Sequence, residues 1–432
     1  MDTNQNRKSY LSSYTLVFFS CLLIFALRNN LNGIFYPTLM AEDGTHLFLP
    51  FYNGDGVGYI FEYWNGYLYI IPKTIAYLLS FLPANQVPHS YAIFAMTLAS
   101  TTFVILYEML LGFFGNRFAL YSTLVIAIMP LGFSQLITSL SFTIWNMLLI
   151  LIFLYFIPIP KSKTTRFLYC LAVVAMIWSH PLSLLMLPLY IYMFFSRPDN
   201  KWVYGFFSLS ALLYYWFGII SKTVVLSKLY ILPNVLLRSV VIGGIFGPTK
   251  SFYIIEYDRI LIYGILVLFF LLIFWGLFWS ERNRDEKELF FAALYLIIGT
   301  VALSILGGNH NQNLLLPGNG TRYFYAAKTL LWILIFSACI PLIKRHFNIA
   351  CIHALLIGFV LMNNTIGPYN SLYKYYTSLK RGEDVFNFVN RIPAHKMHCL
   401  NSLIQTEYTL RLRGSKDWDV RVKGCGLAKK LT

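Results

Sequence analysis

Two adjacent carboxylates, Glu42 and Asp43, stand in the stretch Met40-Ala-Glu-Asp-Gly-Thr-His46, just after the first apolar run of the chain. Acidic side chains beside a bilayer are costly, so they are either solvated there or do chemistry. A carboxylate can take the proton from an acceptor hydroxyl as that oxygen attacks an electrophilic carbon. Two neighbouring carboxylates can also share a divalent cation, Mg or Mn, with phosphate oxygens. The competing reading is a polar loop whose acids only oppose insertion. Asp55 and Glu62 follow closely. Asn53-Gly-Asp-Gly56 reads as a turn, which makes Asp55 a solvated residue. Glu62, in Phe61-Glu-Tyr-Trp64, faces either a groove or solvent.

The complementary charge is Arg322, in Asn319-Gly-Thr-Arg-Tyr-Phe-Tyr325, where a loop enters a late apolar run. The donors of a guanidinium form a rigid fork that suits phosphate oxygens. Arg322 is therefore a candidate phosphate ligand, with Tyr323 beside it; an interfacial arginine on bulk lipid headgroups is the alternative. Lys328 lies six residues on, too far for the same helical face, and is either a further donor-phosphate ligand or a snorkelling residue. His180, in Trp178-Ser-His-Pro181, sits where proline breaks a helix. It either lines a cavity and bonds a phosphate or sugar, or is satisfied by a backbone carbonyl. His310, among Asn309, Asn311 and Asn313, offers sugar-binding groups or is an ordinary loop residue. Glu62, Trp64 and Tyr67 join it as candidate substrate-binding residues. The sequence has no phosphate-binding Gly-Lys-Ser/Thr loop and no zinc spacing, and nothing in it points to ATP-driven chemistry.

The elements that must position these residues are apolar. Of 432 residues, 57% are hydrophobic and 12% charged, half the charged share of about 25% in soluble domains. Apolar runs of about 20 residues recur, as in a polytopic all-α membrane bundle. They fall near 11–28, 90–113, 117–135, 141–158, 165–180, 183–196, 202–220, 258–280, 286–306, 325–343 and 348–366. The net charge of +16 sits in the short loops between runs, which is a topology signal and not a nucleic-acid footprint. If 66–83 does not cross, the basic loops from Arg7 to Arg345 share the cytoplasmic side. That gives about eleven crossings, N-terminus in and C-terminus out. The outer loop 29–89 then holds interfacial helices, with Tyr63, Trp64, Tyr67 and Tyr69 at interface depth. Residues 1–366 form the membrane domain, and 367–432 a small extracytoplasmic tail, either α/β or mostly helical. The segment 221–257 is expected along the membrane surface as an amphipathic or re-entrant element. Of six cysteines, Cys399 and Cys425 in the tail are a disulfide or two free thiols.

A first helix, an outer-loop acidic pair (Glu42, Asp43), a Trp/Tyr-rich stretch (Glu62-Tyr-Trp-Asn-Gly-Tyr-Leu68) and a late Arg322-Tyr323 together resemble the GT-C superfamily of integral membrane glycosyltransferases. The resemblance spans roughly 1–366 and lies mainly in topology. It implies a polyprenyl-phosphate sugar donor and a glycan or lipid acceptor of the cell envelope. It further implies Asp43 as base, assisted by Glu42, and Arg322 with His180 at the leaving phosphate. The alternative is a transporter or flippase of a lipid-linked glycan; such proteins tend to carry charged or broken helices at the midplane. Short loops and a composition rich in Ile, Asn, Tyr and Lys point to a bacterial inner membrane, with the site facing the periplasm or exterior.

Overall fold

The computed structural model describes residues 3–28, 39, 42–64, 66–83, 86–129, 131, 135–218, 226–245, 284–307 and 321–346, isolated helical positions between 264 and 274, and two strands, 407–410 and 420–423. The architecture is helical. Among the described residues one strand pair, β1 (Glu407–Leu410) and β2 (Val420–Lys423), runs antiparallel with Glu407 opposite Lys423.

Helix α1 (Thr3–Arg28) leads to α2, which starts at Asp43–Phe48 and runs on through Leu49–Tyr52. Helix α3 spans Ile70–Leu79 and α4 Val87–Phe114. Pro88 opens α4, where a missing N–H does no harm, and Gly115 at φ 79° closes it in the left-handed region. Helix α5 (Asn116–Ile128) follows at once and ends short of the expected residue 135. Helix α6 (Thr143–Phe156) is buried at every position from Thr143 to Phe153. A helix apolar all round belongs at the centre of a bundle. Against it pack α4 and α12 (Tyr325–His346), while α11 (Arg284–Gly307) packs on α12 and meets α6 where Tyr155 donates to Glu288. Tyr14 donates to Glu108 and Phe25 meets Phe103 edge-on, which ties α1 to α4.

Helix α7 (Lys163–Ile177) and the pair formed by Pro181–Leu185 and α8 (Met186–Ser196) are bent by 114° about the Trp178–Pro181 break. Helix α9 spans Lys201–Leu213 and continues to Gly218. A Cβ on Gly218 would fall 2.1 Å from the Tyr214 ring, so glycine alone fits there. Helix α10 covers Lys228–Ile245. By length and composition α4, α10 and α11 can each cross a membrane, and the bent α7–α8 pair makes a fourth if it is one span. An amphipathic or re-entrant surface element was expected there, and the length and composition of α10 fit a crossing as well. A row of apolar residues with little net charge satisfies both readings. The expected runs 258–280, beyond its isolated positions, and 348–366 lie outside the described residues, as do Cys399, Cys425 and the sidedness of the tail.

Candidate active site

Four chain segments far apart in sequence meet at one end of the bundle, beginning with the turn before α6. Asp43, at the start of α2, is 1% exposed. The Ser141 N–H donates to its Oδ1 at 2.7 Å, and the Ser139 and Ser141 hydroxyls bond to the same carboxylate. Those two hydroxyl oxygens lie 2.8 Å apart. Tyr69 braces the turn by donating to the Ser141 carbonyl. Burial raises the Asp43 carboxyl from 3.8 to about 7; the serine hydrogen bonds pull it down, and the nearby Glu42 charge pushes it up again. Desolvation dominates because the charged form loses water that two hydroxyls and one amide only partly replace.

Glu42 is buried, with Oε1 3.7 Å from Arg322 Nη1 and, among the described residues, no hydrogen-bond partner for Oε2. That spacing makes an ion pair without a close hydrogen bond. The guanidinium is packed over the rings of Phe142 at 5.0 Å and Tyr323 at 5.1 Å, and it donates to the Tyr323 hydroxyl at 3.2 Å. Its side chain is still 32% exposed. Burial works against its charge, but Tyr323 and Glu42 outweigh that and hold its pKa above the usual arginine value. Arg322 is therefore a fixed, flat cation with open donors among the described residues.

From Tyr323 a ring path continues inward. Tyr323 meets Trp145 edge-on at 5.5 Å, and Trp145 meets His180 at 4.6 Å. His180 caps the turn after α7: its Nδ1 accepts the Leu182 N–H at 3.0 Å. A neutral imidazole accepting at Nδ1 carries its proton on Nε2, and that buried Nε2 has no partner among the described residues. So His180 bonds a backbone amide, where a carbonyl was one expectation, and keeps one donor open.

The stretch from Tyr63 to Leu79 docks on the same end. Tyr63 donates to the Phe217 carbonyl, the Leu68 N–H to the Gly218 carbonyl at 3.0 Å, and the Ile71 N–H to Ser179 Oγ at 3.0 Å. Lys73, fully buried, donates to the carbonyls of Tyr59 at 3.1 Å and Glu62 at 2.9 Å and lies 4.0 Å from the Tyr59 ring centroid. It staples the interfacial stretch into one piece.

The candidate residues therefore divide. Asp43, Glu42, Arg322, Tyr323 and His180 come together through Ser141, Phe142 and Trp145. Trp64 and Tyr67 flank them, with the Trp64 ring tilted against Tyr69 at 5.2 Å and His46 at 5.3 Å. The Glu62 side chain is exposed, and its backbone carbonyl is what the structure uses. Asp55 is exposed in its turn. Lys328 does not snorkel: it is 1% exposed and packs on Gly243 and Gly244, where the absence of side chains leaves room for it. His310 lies outside the described residues. Among the described residues no three His, Cys, Asp or Glu side chains cluster as metal ligands. Glu42 faces Arg322 while Asp43 faces the serines, so a cation bridging the pair would need further ligands. Ser139, Ser141 and Lys73 were missing from the sequence reading, because a serine or lone lysine in an apolar run carries no spacing signal.

No protein-family model matches the chain, and no curated protein does.

Proposed function

We propose that the protein is an integral membrane glycosyltransferase that moves a sugar from a polyprenyl-phosphate donor to a hydroxyl of an envelope glycan or lipid. In this reading the chain makes about eleven crossings, N-terminus in, in a bacterial inner membrane, and the site faces outward. The observation that carries the reading is a buried carboxylate tuned to about 7 at the same end of the bundle as an open arginine. Perturbed acids in such surroundings are functional candidates, and a base works best when its pKa lies near the operating pH.

The chemistry follows from the residues. The acceptor hydroxyl reaches Asp43 by taking the place of a serine hydroxyl and gives it a proton as its oxygen attacks the anomeric carbon. The bond from that carbon to the phosphate oxygen breaks on the opposite face, and configuration inverts. The leaving phosphate gains negative charge, which the open donors of Arg322 stabilise, and the His180 Nε2–H can join them. Glu42 orients Arg322. The burial of Asp43 keeps water from competing as acceptor. The bilayer holds the donor's lipid, which removes part of the entropy of encounter. The test is transfer of radiolabelled sugar from a polyprenyl-phosphate carrier by purified protein. Loss of label from the carrier with gain in the acceptor supports the reading, and an intact carrier in every acceptor tried sinks it.

A further inference from the structure

At the end of the bundle opposite His180, α7 and α9 leave a groove of about 470 Å³. Lys163 and Arg166 stand at its mouth. Phe167, Cys170 and Val174 line it along α7, and Trp202 and Phe206 along α9. The walls are apolar and the mouth is cationic. Between residues 159 and 206 the chain has Lys161, Lys163, Arg166, Arg197 and Lys201 against a single acid, Asp199. Arg166 is held in place by a hydrogen bond from its Nε to the Pro160 carbonyl at 2.9 Å. Lys201 lies 5.4 Å from the Trp202 ring, which is itself 78% exposed. An aromatic with a cation beside it is the usual anchor at headgroup depth.

We propose that this groove binds an anionic glycerophospholipid of the surrounding leaflet, with its phosphate at Lys163, Arg166 and Lys201 and one acyl chain along Phe167, Cys170 and Val174. Length supports the assignment. The eleven helical steps from Lys163 to Val174 rise about 16 Å, close to half of a hydrocarbon core of about 30 Å. Basic pockets between helices at the membrane surface select anionic headgroups in this way. The site stands apart from Asp43 and Arg322, so it is independent of the catalytic reading.

The test is native mass spectrometry of the full chain in mild detergent, titrated separately with phosphatidylglycerol, phosphatidylcholine and polyprenyl phosphate. Phosphatidylglycerol is expected to be retained at least tenfold over phosphatidylcholine. Lys163→Gln with Lys201→Gln changes two exposed side chains and leaves the packing intact. It should lower that preference by about fivefold per cation. Equal retention of the two phospholipids, an unchanged preference in the double variant, or stronger retention of polyprenyl phosphate would each overturn the proposal.

Discussion

Replacing Asp43 by Asn separates chemistry from stability. The side chain keeps its shape, and its Oδ1 can still accept the Ser141 N–H. What it loses is the ability to ionise. In the folded protein the carboxyl is raised from 3.8 to about 7, so ionisation opposes folding. Below the unfolded value both states are protonated and there is no penalty. As pH rises from there the unfolded chain ionises first, and the penalty grows until the folded group also ionises at about 7. Above that it is complete, on the order of 4 kcal/mol. Asp43→Asn should therefore melt a few degrees above the parent at pH 8, and the gap should narrow at pH 5. Transfer should fall by about 10²–10⁴-fold, the usual share of a general base. Melting followed by tryptophan fluorescence, beside transfer assays at both pH values, gives the two readouts. An Asn variant that is destabilised at pH 8, or one that transfers at parental rate, would refute the reasoning.

Other outcomes follow from the same geometry. The parental rate should rise with pH through about 7 as Asp43 ionises; a rate that falls over that range contradicts the base assignment. Arg322→Ala should raise the donor KM about 10–100-fold, as expected for losing a charge-assisted hydrogen bond, and Arg322→Lys should recover only part because lysine lacks the flat fork; an unchanged donor KM removes Arg322 from the site. His180→Asn retains a residue able to cap the Leu182 N–H but removes the open Nε2–H, so the fold should persist while the donor KM rises several-fold; a parental KM limits His180 to its capping role. Lys73→Met strands the Tyr59 and Glu62 carbonyls and should cost about 1–3 kcal/mol of stability, read as a lower melting temperature; no change would show that the staple is dispensable.

The site was legible where chemistry and topology left marks together. Glu42, Asp43, His180 and Arg322 were marked by being polar at the ends of apolar runs, and counting crossings put them all on one side. The structure brings them together at one end of the bundle. The serines were not legible. Ser139 and Ser141 fit any apolar run, since a hydroxyl can bond its own backbone, and only the fold shows that they hold Asp43. Lys73 was missed as well, because its partners are backbone carbonyls that any sequence supplies. Lys328 was misread for a related reason. Snorkelling assumes an open path along the helix to the interface, and the paired glycines Gly243 and Gly244 instead let α10 close over it. Helix α10 itself shows that an apolar segment of modest charge suits either a surface or a spanning position.

The most direct test places the purified protein in liposomes with a radiolabelled polyprenyl-phosphate sugar and an envelope-glycan acceptor. The account predicts that label leaves the carrier and appears in the acceptor with inverted anomeric configuration, and that Asp43→Asn abolishes this. Movement of the intact labelled carrier across the bilayer, with no sugar transferred, would contradict it and make the protein a lipid-linked-glycan flippase.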